Sequence, residues 1–347
     1  MRAEDRIQKR VLYDITAPNR STGIVGGRSS NILNWDDIRY PWAKAMYDKM
    51  LANFWTPHEI KMGEDKLQFS QLTPKEREAF KKTIGLLAFL DSIQTDYSSK
   101  VADYLTDSAV SAVMVILAQQ EVIHNHSYSY VLSSITNKAE QDEIFEYWKH
   151  DPVLIERNEF IGRVYKAFVE NPTLGNFLES VVADVVLEGL FFYSGFAFFY
   201  HLARRDKMVG TATMINYINR DEHQHVRIFS EIFKAVMAEH DLDRDYWAGY
   251  VRDYFKRAAE LEVGWARHLL GEDFPGIDLV DLEEYIHFTA NKRVRQMGVE
   301  DVPFPGARNT LPWIRYYEDM NLVKSDFFEQ KSRTYEKVSD RNGFDAF

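Results

Sequence analysis

The sequence EVIHNHSY at residues 121–128 has a counterpart in INRDEHQH at residues 218–225, and each stretch holds one Glu-x-x-His pair. The two pairs are Glu121 with His124 and Glu222 with His225. In an α-helix, positions i and i+3 lie on one face, so each pair can direct a carboxylate and an imidazole at one point. The pattern therefore predicts two helices that face a shared centre.

A single carboxylate inside an apolar segment precedes each pair by about thirty residues: Asp91 lies in LLAFLDSIQ and Glu188 in VVLEGLFFYSGF. An unpaired, ionised carboxylate in such surroundings would cost several kcal/mol, so each one requires a partner. Helix capping, an arginine or protonation could satisfy either acid alone. A shared cationic centre accounts for both acids and both pairs at once, and four bundled helices with this set are known from di-iron and di-manganese carboxylate proteins.

The predicted metal ligands are four carboxylates and two imidazoles: Asp91, Glu121, His124, Glu188, Glu222 and His225. An oxygen-rich set with one imidazole per metal suits iron or manganese, and the absence of cysteine excludes thiolate sites. We therefore expect two metal ions per chain, as Fe2, Mn2 or Mn/Fe. A third pair, Glu284 with His287, has no lone buried acid at the same distance before it, and we assign it to chance.

The composition indicates a soluble, mostly helical protein. Hydrophobic residues make up 45% of the 347 residues, 17 Gly and 10 Pro are few for this length, and no β alternation stands out. The net charge of −11 argues against a nucleic-acid or anionic-membrane partner. The charged start lacks the apolar stretch of a signal peptide, and Asp184 and Glu188 interrupt the most apolar segment. We expect no membrane span and a cytoplasmic location.

Three regions are predicted along the chain. Residues 1–30 are polar and irregular and indicate a flexible N-terminal arm. Residues 31–323 carry helical periodicity and form the main domain. Residues 324–347 are polar, without a clear period, and indicate a mobile C-terminal tail.

Tyr128 lies four residues after His124, one turn further along the same helical face. It could give up an electron and a proton to the nearer metal, or it could be a buried structural tyrosine, since the chain has 19 tyrosines. Phe192 and Phe196 follow Glu188 at i+4 and i+8, and Ile218 precedes Glu222 by four residues. These three side chains would keep water from a radical, or they would simply be core.

Four segments, LLAFLDSIQ, EVIHNHSY, VLEGLFFYSGF and INRDEHQH, resemble in order and spacing the corresponding segments of the small, radical-generating subunit of class I ribonucleotide reductase. The resemblance runs from about residue 31 to the C-terminus. It implies an all-α, ferritin-like helical bundle with a dinuclear metal site in its core. It assigns Asp91, Glu121 and His124 to one metal and Glu188, Glu222 and His225 to the other, with a carboxylate or oxide bridge.

The resemblance also implies a function. The subunit would assemble and oxidise its metal cofactor and supply the radical that starts reduction of ribonucleotides to deoxyribonucleotides on a separate large subunit. Tyr128 matches the position of the stable radical, and Trp55 and Asp221 match the radical-transfer path, with Asp221 bonded to His124. Tyr335, in TYEKV, resembles the relay tyrosine. From the residues alone, Trp55 is as well explained as a core aromatic and Asp221 as the partner of a neighbouring arginine.

The partners implied by the resemblance are a second copy of the chain and the large subunit, docked through the C-terminal tail with Phe344 and Phe347 as anchors. The activating oxidant stays open between dioxygen and superoxide from a flavoprotein activator. Two alternatives stay open: a ligand-binding two-metal oxidase of the same fold, which usually has Glu where Asp91 stands, and a ferritin-like metal storage protein of about half this length. Whether Tyr128 or the metal pair stores the oxidising equivalent also stays open.

Overall fold

The computed structural model describes residues 1–315, and its regular structure is helical. Within these residues the only β pairing is two isolated bridges, Arg6 with Thr173 and Val25 with Leu105, so the all-α prediction is confirmed. The helices are α1 (Pro41–Ala52), α2 (Gly63–Gln71), α3 (Pro74–Tyr104), α4 (Ser108–Ile135), α5 (Lys138–Glu146), α6 (Pro152–Glu170), α7 (Leu174–Val186), α8 (Tyr193–Ala203), α9 (Val209–Glu239), α10 (Arg244–Leu270) and α11 (Leu279–Gln296). Met1–Thr310 form one compact unit, and Leu311 begins a second, of which residues 311–315 are described.

The helices α3 and α4 begin at residues that satisfy some of their first backbone amides. Thr73 and Glu76 form a capping box, in which Thr73 Oγ1 accepts from Glu76 N at 3.2 Å and Glu76 Oε2 accepts from Thr73 N at 2.8 Å. Pro74 occupies the first helical turn, where its missing N–H costs nothing. Asp107 caps α4 by accepting two backbone N–H bonds of 3.0 Å. These caps fix where each helix begins and so set the register of the ligands farther along.

The central helix of the bundle spans Leu174–Ala203 and is long and apolar enough to cross a membrane by length and composition alone. Its most apolar stretch is entirely buried in the protein, as in the core helix of a soluble protein. A π-helical segment, Leu187–Phe191, interrupts it between α7 and α8 and carries Glu188. Such π-bulges insert one extra residue and are frequent at functional sites.

The N-terminal segment, residues 1–30, contacts the bundle, and its predicted flexibility stays a prediction. Ile7, Ile24 and Val25 are at most 2% exposed, and Ile24 N donates to Glu239 Oε2 in α9 at 2.9 Å. The segment therefore lies against the bundle and is held there by a few buried apolar side chains. Its mostly polar composition concealed these contacts.

The predicted C-terminal tail, residues 324–347, lies outside the described residues, and so does Tyr335. The boundary between main domain and tail, and the role of this tyrosine, stay predictions.

Candidate metal centre

Six buried side chains meet at the centre of the bundle, and they are the six that the sequence predicted. They are Asp91 from α3, Glu121 and His124 from α4, Glu188 from the π-helical segment, and Glu222 and His225 from α9, all 0% exposed. Their potential ligand atoms form two groups, each with all atoms within 4.8 Å of one another. The first group is Asp91, Glu121, His124 and Glu222, and the second is Glu121, Glu188, Glu222 and His225. Two glutamates therefore belong to both groups.

These shared glutamates present one oxygen to each histidine. His124 Nδ1 lies 3.6 Å from Glu121 Oε2 and 3.1 Å from Glu222 Oε1. His225 Nδ1 lies 2.9 Å from Glu121 Oε1 and 3.1 Å from Glu222 Oε2. Each shared glutamate could therefore contribute one oxygen to each of two ions.

The outward nitrogen of each histidine is held by a hydrogen-bond acceptor. His124 Nε2 lies 3.3 Å from Asp221 Oδ2, and His225 Nε2 lies 3.0 Å from Gln120 Oε1. Donation of the Nε2 proton to these oxygens leaves the Nδ1 lone pair directed at the centre, as metal-ligating histidines require. The sequence analysis missed Gln120, although its position one turn before His124 places it near the ligand face of α4.

Several buried atoms of this cluster have no hydrogen-bond partner among the described residues. They are both carboxylate oxygens of Asp91 and of Glu121, Oε2 of Glu188, Oε1 of Glu222 and Nδ1 of His124. A buried polar atom left unpaired costs about 1–3 kcal/mol, and more when it is charged. Two divalent cations would satisfy all of these atoms, and oxygen donors with one imidazole per ion suit iron and manganese. The residues therefore fit a dinuclear metal site.

The clustered charges shift one another's pKa values. Burial, and then repulsion from Glu121, raises the pKa of Asp91 well above its usual range. Burial likewise raises the pKa of Glu188 to about 7. Burial opposes the charged form of both histidines, but the surrounding carboxylates outweigh it and raise the pKa of His124 and of His225 well above 6.5. The cluster therefore holds protons that bound cations would displace.

A hydrogen-bonded path leads from His124 away from the cluster. Asp221 Oδ2, which lies near His124 Nε2, also accepts from Trp55 Nε1 at 2.8 Å, and Trp55 is 3% exposed. The expected contact between Asp221 and His124 is therefore present. Asp221 Oδ1 also lies 3.7 Å from Arg220 Nε, so the alternative ion pair is present too. The roles of Trp55 and Asp221 in radical transfer stay predictions.

Tyr128 is 1% exposed, and its hydroxyl has no hydrogen-bond partner in the described part of the chain. Burial, and then the negative charge of Asp91, raises the pKa of Tyr128 well above 10. Phe192 and Phe196 are buried with ring centroids 5.6 Å apart, and Ile218 is 0% exposed. Their predicted lining of a pocket around Tyr128 stays a prediction.

The third Glu-x-x-His pair lies apart from both ligand groups. Glu284 Oε1 accepts from Arg308 N at 2.9 Å, and the His287 ring stacks on Phe304 with centroids 3.9 Å apart. Both side chains therefore have structural partners of their own.

A helical bundle whose core supplies two overlapping carboxylate–histidine groups defines the class of dinuclear-metal carboxylate proteins. The family model described as ribonucleotide reductase, small chain, matches residues 32–309. The chain belongs to this family. It is accordingly a component of an oxidoreductase in which the small subunit works with a large subunit and is typically dimeric.

The individual relatives agree with this assignment. Ribonucleoside-diphosphate reductase subunit beta of Halalkalibacterium halodurans is 60% identical over 343 residues, which cover 98% of this chain and 99% of the relative. The ribonucleotide reductase R2 subunit from Clostridium botulinum is 35% identical with a TM-score of 0.87, covering 90% of this chain and 99% of that one. A dimanganese(II)-NrdF of Streptococcus sanguinis is 26% identical with a TM-score of 0.73, covering 83% and 99%. The neighbours confirm the ferritin-like bundle.

Proposed function

We propose that the chain is the radical-generating subunit of a ribonucleoside-diphosphate reductase. It assembles and oxidises a dinuclear metal cofactor and supplies the radical that starts the reduction of ribonucleotides to deoxyribonucleotides on the large subunit. The observation that carries this proposal is a buried dinuclear site from which a hydrogen-bonded path leads through Asp221 to Trp55. Neither alternative is favoured, because metal storage needs no such path and the ligand-binding oxidases usually have Glu where Asp91 stands.

Each residue of the cluster has a proposed place around the two ions. Asp91 and His124 would hold one ion, Glu188 and His225 would hold the other, and both shared glutamates would bridge them. The donor set suits iron and manganese, and the Streptococcus sanguinis relative carries two Mn(II) ions by its name. Fe2, Mn2 and Mn/Fe are therefore the cofactors to test. Once bound and oxidised, the metal pair supplies the one-electron oxidising power.

Tyr128 is the proposed radical site. Burial, and then the negative charge of Asp91, raises the pKa of Tyr128 and favours the protonated hydroxyl in the metal-free protein. The buried Phe192, Phe196 and Ile218 would then shield the neutral radical from water. If the oxidising equivalent stays on the metals instead, Tyr128 is a structural tyrosine.

Radical transfer would proceed from the cluster through Asp221 and Trp55 to Tyr335 and the large subunit. The tail, residues 324–347, would dock on that subunit with Phe344 and Phe347 as anchors. We further propose a homodimer in the cytoplasm, activated by dioxygen or by superoxide from a flavoprotein.

The test is to load the protein with Fe, Mn or both, oxidise it, and record electron paramagnetic resonance (EPR) spectra and activity with the large subunit. A sharp radical signal that is lost in Tyr128→Phe, but kept in the buried control Tyr97→Phe, would support the tyrosyl radical. A multiline metal signal with activity that survives Tyr128→Phe would contradict it. No activity under any loading would contradict the proposed function.

A further inference from the structure

Glu188 has buried polar neighbours that the proposed function does not use. Gln94 in α3 donates from Nε2 to Glu188 Oε1 and to Asp184 Oδ1, both at 2.6 Å. Tyr165 in α6 donates its hydroxyl to Gln94 Oε1 at 2.7 Å. Gln94 and Asp184 are 0% exposed, and Tyr165 is 8% exposed. Three helices therefore supply a closed set of hydrogen bonds that ends at one carboxylate of the metal cluster.

The orientation of the Gln94 amide follows from the chemistry of its partners. Carboxylates only accept hydrogen bonds, whereas the Tyr165 hydroxyl can donate. With Glu188 ionised, as metal binding requires, a reversed amide would place Gln94 Oε1 against a carboxylate oxygen with no proton between them. The hydroxyl of Tyr165 therefore fixes which end of the amide faces Glu188.

The buried carboxyl group of Asp184 explains why the Gln94 amide donor is needed. No salt bridge to Asp184 occurs within residues 1–315, and its Oδ2 has no hydrogen-bond partner there. Burial, followed by repulsion from Glu188, raises the pKa of Asp184 well above its usual range. One amide group thus serves two buried carboxyl groups that would otherwise repel each other, and its loss would let the Glu188 side chain move.

The backbone at Glu188 is held separately from its side chain. Arg293 Nε in α11 donates to Gly189 O at 3.0 Å, and the Arg157 guanidinium donates to Phe191 O. Both carbonyls belong to the π-helical segment, whose hydrogen-bonding pattern departs from that of α-helix. With the backbone fixed by the arginines, the hydrogen bond from Gln94 decides where the Glu188 carboxylate points.

We propose that Gln94, locked by Tyr165 and shared with Asp184, is a positioning residue for the metal ion beside His225. It engages Glu188 Oε1, which lies 3.6 Å from His225 Nδ1, and Oε2 keeps no hydrogen-bond partner among the described residues, so the carboxylate retains free lone pairs for the ion. This inference rests on the proposed function, because it assumes that the cluster binds metals. It makes an asymmetric prediction: loss of Gln94 weakens the ion beside His225 and spares the one beside His124.

The structure offers a matched pair of variants. Tyr97 and Tyr165 stack with ring centroids 3.7 Å apart, and both hydroxyls donate buried hydrogen bonds. The Tyr97 hydroxyl bonds to Ser180 Oγ at 2.9 Å, whereas that of Tyr165 bonds to Gln94 Oε1 at 2.7 Å and lies 3.3 Å from Asp184 Oδ1. Tyr165→Phe and Tyr97→Phe therefore make the same chemical change at neighbouring positions, and only Tyr165→Phe removes support from Gln94 and its partner Asp184. Gln94→Met removes the donor itself while keeping the length of the side chain.

The experiment is a Mn(II) titration of each full-length variant, followed by EPR. Isolated Mn(II) gives a six-line signal, and two neighbouring Mn(II) ions give a broad spin-coupled signal. We expect the second ion to bind about 10–100-fold more weakly in Gln94→Met, as for other groups that support a metal ligand. Tyr165→Phe should show a smaller loss, and Tyr97→Phe should match the wild type.

Two results would overturn the proposal: unchanged binding of the second ion by Gln94→Met and Tyr165→Phe, or equal weakening by Tyr97→Phe. Should Gln94→Met not fold, as judged by circular dichroism, the comparison of the two tyrosine variants decides alone. A wild-type protein that binds fewer than two ions would contradict the proposed function, and the two failures are thereby distinguished.

Discussion

At the residue scale, Glu121 and Glu222 connect the two halves of the cluster, because each of them presents one oxygen to each histidine. Their spacing from the histidines explains this geometry, because i and i+3 positions lie on one helical face. The histidines in turn depend on Asp221 and Gln120, which accept at the far side of each ring. Both of these acceptors lie next to a ligand in sequence, Asp221 beside Glu222 and Gln120 beside Glu121.

Replacement of Trp55 by Phe should separate cofactor assembly from radical transfer. The change removes the Nε1–H donor to Asp221 and leaves every proposed metal ligand in place. We expect two bound metals and a normal oxidised EPR signal, with deoxyribonucleotide formation reduced to background. Trp247→Phe, at a buried position in α10, is the control and should keep activity. Undiminished activity of Trp55→Phe would exclude this tryptophan from the path.

Metal binding should strengthen as pH rises through neutrality. The pKa of Glu188 is raised to about 7, chiefly by burial, so below that pH an incoming ion has to displace its proton. The same shift makes the unfolding free energy of metal-free protein fall as pH rises from about 4.5 to 7, because the folded group holds a proton that the unfolded chain has released. Mn(II) titrations between pH 6 and 8 measure the first effect, and a pH-independent affinity would contradict it.

The sequence predicted all six cluster residues because helical spacing and the cost of burying a carboxylate are local properties. It missed the roles of Gln120, Gln94 and Asp184, since they depend on hydrogen bonds to residues distant in the chain. Such partners leave no repeating pattern in the sequence.

At the element scale, the close approach of α3 and α5 depends on Gly85. A Cβ atom at this position would lie 2.3 Å from the backbone oxygen of Ile144. Gly85 therefore has a packing role in the helix that carries Asp91. The sequence places the glycine within a helical pattern, but only the structure gives the reason.

Gly85→Ala should destabilise the protein although alanine is the better helix former. The clash with the Ile144 backbone should cost about 1–3 kcal/mol, as overpacked cores do. A Cβ atom added at Gly249 in α10 would meet nothing within 4 Å outside its own helix, so Gly249→Ala should instead stabilise by about 0.5–1 kcal/mol. Urea denaturation of both variants measures the difference, and equal effects would contradict the packing account.

The π-helical segment, Leu187–Phe191, is an element that the sequence does not predict. The apolar segment around Glu188 forms one central buried helix. The extra residue per turn at Leu187–Phe191 is stabilised by Arg157 and Arg293, which come from α6 and α11. No pattern in the sequence around Glu188 indicates hydrogen-bond donors that come from distant helices.

At the scale of the whole molecule, a helical bundle encloses the cluster, and residues 1–30 lie against it. The polar composition of that segment predicted a flexible arm, because three buried apolar side chains weigh little against its many polar residues. Family membership connects the buried cluster with a partner, since small subunits of ribonucleotide reductase act with a large subunit. The enclosed site can be oxidised inside this chain while the substrate is reduced elsewhere.

The central claim is that six residues bind two metal ions. Anomalous diffraction from crystals of Mn(II)-loaded protein tests it most directly, with Glu188→Ala as the matched variant. We predict two anomalous peaks in the wild type, one beside His124 and one beside His225, with Glu121 and Glu222 between them, and loss of the peak beside His225 in the variant. A wild type with one peak or none in the cluster, or a variant that keeps both peaks, would contradict the account.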